Sequence, residues 1–101
     1  MPTKSFETYH IEKLKNPEQA RLYLEVALEE YEQDGDTIEF LRALKQVTDA
    51  QGGMTKLSKK TNLSRQNLYK IMSGDRRPRL ETITRLLKGL GFRLSLDYLN
   101  H

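Results

Sequence analysis

The chain has 101 residues, 31% charged and 37% apolar, which suits one domain around one modest core. Its net charge of +3 hides an asymmetry, with 6 basic and 11 acidic residues in 1–50 (−5) but 11 basic and 3 acidic in 51–101 (+8). The absence of cysteine excludes disulfides and thiolate metal sites. The lack of any apolar run of membrane or signal-peptide type makes a cytoplasmic protein without a membrane span the expectation.

The elements follow in chain order. Residues 1–15 show no clean period and read as an arm that docks through Phe6, Tyr9, Ile11 and Leu14. Asn16-Pro17-Glu18 is a helix start, an N-cap followed by proline at the first helical position. Ala20, Tyr23, Leu24, Ala27, Leu28 and Tyr31 then form one apolar stripe at steps of three and four. Gln33-Asp34-Gly35 ends this helix. Asp36 and Glu39 have capping-box spacing and open a second helix that turns Phe40, Leu41, Leu44 and Val47 inward. It stops at Gly52-Gly53. A short third helix covers about 55–61, Asn62 suits a left-handed turn, and Ser64 caps a fourth helix ending at Gly74. Pro78 precedes a fifth helix, 80–90, with Leu80, Ile83, Leu87 and Leu90 in register and Gly91 as its stop. Phe92, Leu94, Leu96 and Tyr98 then alternate with Arg93, Ser95 and Asp97, the pattern of a half-buried strand. Such a strand needs a partner for its edge: the amino-terminal arm, a second copy or another protein.

Residues 54–72, MTKLSKKTNLSRQNLYKIM, form a helix-turn-helix candidate. Leu57 and Leu68 suit a shared core, Ser58 is small where the helices cross, and Leu63 plugs the turn. Bulky polar side chains remain outside the second helix. A helix of this kind lies in the major groove with its amino-terminal residues over base edges. Arginine grips guanine O6 and N7 with two bonds, and glutamine or asparagine grips adenine N6 and N7. Arg65, Gln66 and Asn67 therefore stand as base contacts. Lys70, one turn on, is placed with them, although a phosphate is also within its reach. Thr55 and Ser64, at helix starts, suit phosphates. Arg76, Arg77 and Arg79 follow the recognition helix and suit the DNA backbone. Tyr69 either touches a sugar or thymine or covers the helix. The plainer alternative is an antiparallel helical hairpin with a solvated basic face. Caps, turn, small residue and cation cluster together favour double-stranded DNA.

Other chemistry is weakly represented. His10 and His101 lie near opposite ends, with no nucleophile–base pair and no metal or cofactor motif between them, so no enzyme is expected. The acids from Glu29 to Asp36 lack the ligand spacing of a calcium loop.

The order of features, from NPEQARLYLEVALEE through GMTKLSKKTNLSRQNLYKIMSG to PRLETITRLLKGLGFRLS, resembles the helix-turn-helix antidote (antitoxin) proteins of bacterial addiction modules. The resemblance spans about residues 6–96. That family more often has alanine and glycine where Ser58 and Asn62 stand, replacements that keep the same physical roles. The resemblance implies a repressor of its own operon and a partner toxin of the RelE-like, messenger-RNA-cleaving class. Such toxins are usually basic, and the helix from Asn16 is acidic with Leu22 and Val26 at its apolar edge. Glu25, Glu29 and Glu32 are therefore the toxin-binding candidates; the alternative is that this helix merely covers the core.

The expectation is thus an all-α chain, a five-helix repressor-like helix-turn-helix domain with a short C-terminal β-strand. Its single domain, 1–101, comprises an arm (1–15), two acidic helices (16–52), the helix-turn-helix with its following helix (53–91), and a strand and tail (92–101). It would act as a homodimer on an inverted repeat, with recognition helices about 34 Å apart. A stand-alone regulator without a toxin is the alternative, and a module that binds only protein is the rival of another class.

Overall fold

The computed structural model describes residues 10–99, all helix, turn and irregular backbone. Residues 10–14 form a helical turn, α1. Five longer helices follow: α2 (Pro17–Asp34), α3 (Thr37–Ala50), α4 (Gly53–Thr61), α5 (Arg65–Met72) and α6 (Leu80–Gly89).

Local chemistry sets most of these limits. The Glu18 and Gln19 amides donate to Asn16 Oδ1 at 2.9 and 3.2 Å, and Pro17 opens α2. Gly35, at φ 71°, closes α2 by donating to the Tyr31 carbonyl at 2.7 Å. Asp36 Oδ1 accepts from the Ile38 and Glu39 amides and starts α3. Only half of the expected capping box forms. The Asp36 amide donates to Asp34 Oδ1, while Glu39 turns to Arg42 at 3.2 Å.

The central helix is α3, which packs against α2, α4 and α5. It buries Phe40, Leu41, Leu44 and Val47 as its period requires, together with Ala43, Thr48 and Ala50. Leu24 of α2, Leu57 of α4, Leu68 and Met72 of α5, and Leu86 and Leu87 of α6 complete the core. Each fully buried leucine contributes about 1.5–3 kcal/mol relative to exposure. The two buried threonines spend their hydroxyls within their own helices, Thr48 on the Leu44 carbonyl and Thr61 on the Leu57 carbonyl, both at 2.8 Å.

Three expectations need correction. The described residues contain six helices rather than five, because part of the expected arm is α1. Leu14 is buried there, and Gln51 Nε2 donates to the Leu14 and Lys15 carbonyls at 2.8 and 3.1 Å. Phe6 and Tyr9 lie outside the described residues. Second, residues 92–99 form no strand: none of the described segments offers a strand edge to pair with, so the alternation lies open. Leu96 is fully exposed and Tyr98 nearly so. Third, Leu80 is 70% exposed rather than inward. It is the first residue of α6, and the buried face of that helix is set further along, by Leu86 and Leu87.

Candidate nucleic-acid interface

The segment from α4 to α5 is built around its turn. Asn62 adopts φ 62°, ψ 22° and its amide donates to the Ser58 carbonyl at 2.9 Å, closing α4. Ser58 Oγ then donates to the Leu63 carbonyl at 2.6 Å, and the Leu63 amide reaches Thr61 Oγ1 at 3.3 Å. Ser58 is thus more than a small residue at a crossing, since its hydroxyl ties the turn back to α4. Ser64 has an extended backbone, and its Oγ accepts from the Asn67 amide at 3.0 Å, starting α5.

Burial of Leu68 and Met72 against the core turns the opposite side of α5 to solvent. Arg65, Gln66, Asn67, Tyr69 and Lys70 are all exposed. At about 100° per residue, Gln66 and Lys70 stand at the centre of that outer face. Asn67 and Tyr69 flank them, and Arg65 lies towards the Met72 edge. The four base-contact candidates therefore share one helix, with Gln66 and Lys70 foremost. Thr55 is exposed in the first turn of α4, whose N-cap, Gly52, offers no side-chain acceptor. The amides of that turn are left to solvent or an anion. Arg76, Arg77 and Arg79 are exposed on the link between α5 and α6. The start of this link is held close to α3: a Cβ on Gly74 would stand 3.1 Å from Ile38 Cγ1.

The charges divide sharply. Among the described residues all five ion pairs lie within 12–49: Glu12–Lys15, Glu18–Arg21, Arg21–Glu25, Glu39–Arg42 and Lys45–Asp49. None engages a cation from Lys56 onward. One of those cations has a structural task, as Arg85 Nε donates to the Thr61 carbonyl at 2.9 Å and fixes α6 to the end of α4. Three others, Lys56, Lys60 and Lys88, line a depression of about 160 Å³ between α4 and α6. Sequence reasoning did not single these lysines out. The spacing of Lys56 and Lys60 on one helix face was visible, but the approach of Lys88 is tertiary.

Glu25, Glu29 and Glu32 are exposed on α2 and turned away from its buried residues, Ala20 and Leu24. The one base on that helix, Arg21, is shared between Glu18 and Glu25. Its hydrogen bond holds the Glu18 carboxyl below the ordinary carboxylate range, with a small opposing effect of burial. Leu22 and Val26, expected at the apolar edge, are 41% and 49% exposed. Among the described residues no group of acids and histidines is gathered as a metal site, and no helix is long and apolar enough to cross a membrane.

Residues 3–98 match the family of probable addiction module antidote proteins. The chain belongs to that family. The antidote matches no curated protein and no solved structure. Membership makes this chain an antitoxin, with a toxin as its partner in general terms. It also gives the charge division a context, since an antidote must present a surface to a protein partner.

Proposed function

We propose that the antidote binds operator DNA as a homodimer, represses its own operon in the cytoplasm and neutralises a RelE-like toxin. The observation that carries the DNA reading is the outer face of α5. Arg65, Gln66, Asn67 and Lys70 stand on a short capped helix, open to solvent, without an ion pair among the described residues and followed by three exposed arginines. A solvated helix face would more often interleave acids with its cations. Here Asp75 is the sole acid between Asp49 and Glu81. In the proposed complex α5 enters the major groove, the α5 side chains read base edges, and Thr55, Ser64, Arg76, Arg77 and Arg79 hold phosphates. Ser64 can do both tasks, because its oxygen caps α5 while its hydroxyl hydrogen remains available to a phosphate oxygen.

The toxin reading rests on family membership and on the acidic face of α2, where Glu25, Glu29 and Glu32 would attract a basic protein. A footprint of the purified antidote on the DNA upstream of its own reading frame tests the first part. Arg65→Ala is expected to cost about 1–3 kcal/mol and relax preference at one base pair, as is Gln66→Ala. Arg77→Ala is expected to weaken operator and random DNA alike. Equal losses on both DNAs from Arg65→Ala would remove that residue from base readout, and no protected site would overturn the repressor reading.

A further inference from the structure

An open groove of about 690 Å³ runs between α2 and α3, on the side of α2 away from Glu25, Glu29 and Glu32. Its larger apolar surface comes from Tyr23, Val26 and Tyr31, and its acids are Glu30, Asp34, Asp36 and Glu39. Val26 and Tyr31 are 49% and 40% exposed, large apolar groups left open on a small protein. The base in the groove, Arg42, is already held by Glu39. Glu30 and Asp34 lie one turn apart in the last stretch of α2, which has no basic residue in its final turn. Carboxylates there face the negative end of the helix dipole, an arrangement that works against the free chain. The field reaches inward as well. Burial first, and then the Glu39 and Glu30 carboxylates, push the Tyr23 hydroxyl above its ordinary range, against a smaller opposite effect of Arg42.

Open aromatic and aliphatic surface, rimmed by carboxylates that lack a cation, is complementary to one type of side chain. A long cationic residue lays its methylene stem on apolar surface and carries its charge beyond it. Tyrosine faces add attraction for the cation itself. We propose that this groove anchors a basic segment of the toxin, with an arginine or lysine stem against Val26 and Tyr31 and its charge at Glu30 and Asp34. The inference rests on the antitoxin reading and adds where the partner is held. It also separates two roles on one helix. At about 100° per residue, Glu30 and Asp34 lie roughly 150° round α2 from the Glu25, Glu29 and Glu32 face. The outer face steers the encounter, while the groove retains the partner.

The test uses the full-length antidote and the purified product of the adjacent reading frame, with association and dissociation rates measured separately. Glu30→Gln with Asp34→Asn keeps the side-chain shapes and the Asp34 acceptor used by the Asp36 amide. This variant is expected to dissociate about tenfold faster, the scale of losing charged partners at a contact. Its free form should melt no lower than wild type. Val26→Arg, which places a cation in the groove, should give a loss of the same kind. Glu25→Lys with Glu29→Lys and Glu32→Lys should instead slow association in low salt and leave dissociation unchanged. Wild-type dissociation rates from both groove variants would overturn the groove and leave the antitoxin reading standing. Failure of the wild-type chain to bind would overturn the groove, together with the reading that the adjacent product is its toxin.

Discussion

Asn62 and Gly89 show how single positions hold the site in place. At φ 62° a β-branched residue would clash with its own backbone, whereas asparagine tolerates the left-handed turn. That turn lets Ser58 reach the Leu63 carbonyl and aims Ser64 at the start of α5. Gly89 acts through the space it leaves. A Cβ there would stand 2.7 Å from Thr61 Cγ2 and 2.8 Å from Leu57 Cδ1, so α6 approaches α4 as closely as a side chain would forbid. Gly89→Ala sets two effects against each other. Helix propensity favours alanine by about 1 kcal/mol. Overpacking against two side chains of α4, Thr61 and Leu57, both of them buried, costs about 1–3 kcal/mol. The crowding should win or at least cancel the gain, and it falls next to the Arg85–Thr61 tie. Thermal unfolding should show a lower midpoint; a clear rise would mean that α6 shifts away from α4 freely.

At the scale of elements, the open question is the tail. Phe92 is half-buried, and its amide donates to the Leu87 carbonyl at 2.8 Å, so the chain is fixed as far as the end of α6. Beyond it, Leu94, Leu96, Tyr98 and Leu99 are exposed, yet the first three alternate as a strand with one apolar face would. A segment of this pattern gains order from another edge, and in the proposed homodimer the same segment of the second copy supplies one. Every described residue removed by ending the chain after Phe92, 93–99, is exposed, so monomer stability should change by no more than about 0.5 kcal/mol. Dimers should weaken, and operator affinity should fall with them. Sedimentation velocity over a range of concentrations measures this. An equally tight dimer from the shortened chain would move the dimer surface to the helices.

The same element scale explains what could be read in advance. The limits of α2, α4 and α5 depend on bonds spanning two to four residues, such as the Glu18 amide to Asn16, Asn62 to Ser58, and Asn67 to Ser64. Signals of that reach are written in adjacent sequence. The helical turn at 10–14 was not legible, because the amide that holds it belongs to Gln51, 37 residues from Leu14. Leu80 misled because a period marks a helix face without showing where a neighbouring helix begins. Alternation after Gly91 likewise marks a face but names no partner for the edge. Of the candidate site, the outward set on α5 was legible from its complement, the apolar residues that must face the core. The use of Arg85 as a tie to the Thr61 carbonyl, and the meeting of Lys56, Lys60 and Lys88, depend on how α6 packs and could not be read from spacing.

Across the whole molecule, charge sorts along the chain. Among the described residues the acidic half pairs Lys15, Arg21, Arg42 and Lys45 with its own acids, whereas the basic half leaves its cations without ion pairs. The surface pairs contribute little to stability, about 0–1 kcal/mol each. Their more telling effect is to neutralise the few bases of the acidic half, which leaves two fields of opposite sign for two kinds of partner.

Those fields make a quantitative demand on DNA binding. In the proposed homodimer Arg76, Arg77 and Arg79 of each copy meet phosphates, roughly six neutralised charges in all, each releasing counterions from the duplex. Operator affinity should then fall with salt on a log–log slope of about −5. Arg77→Ala removes one contact per copy and should make the slope shallower by about 2. Gln66→Ala removes an uncharged base contact, so it should lower affinity for the operator and leave the slope unchanged. Fluorescence anisotropy titrations between about 50 and 200 mM salt separate these cases, since the window spans several decades of affinity for such a slope. A wild-type slope near zero would take the three arginines off the phosphates. A Gln66→Ala slope that flattened as much as that of Arg77→Ala would show that α5 does not sit over the base edges.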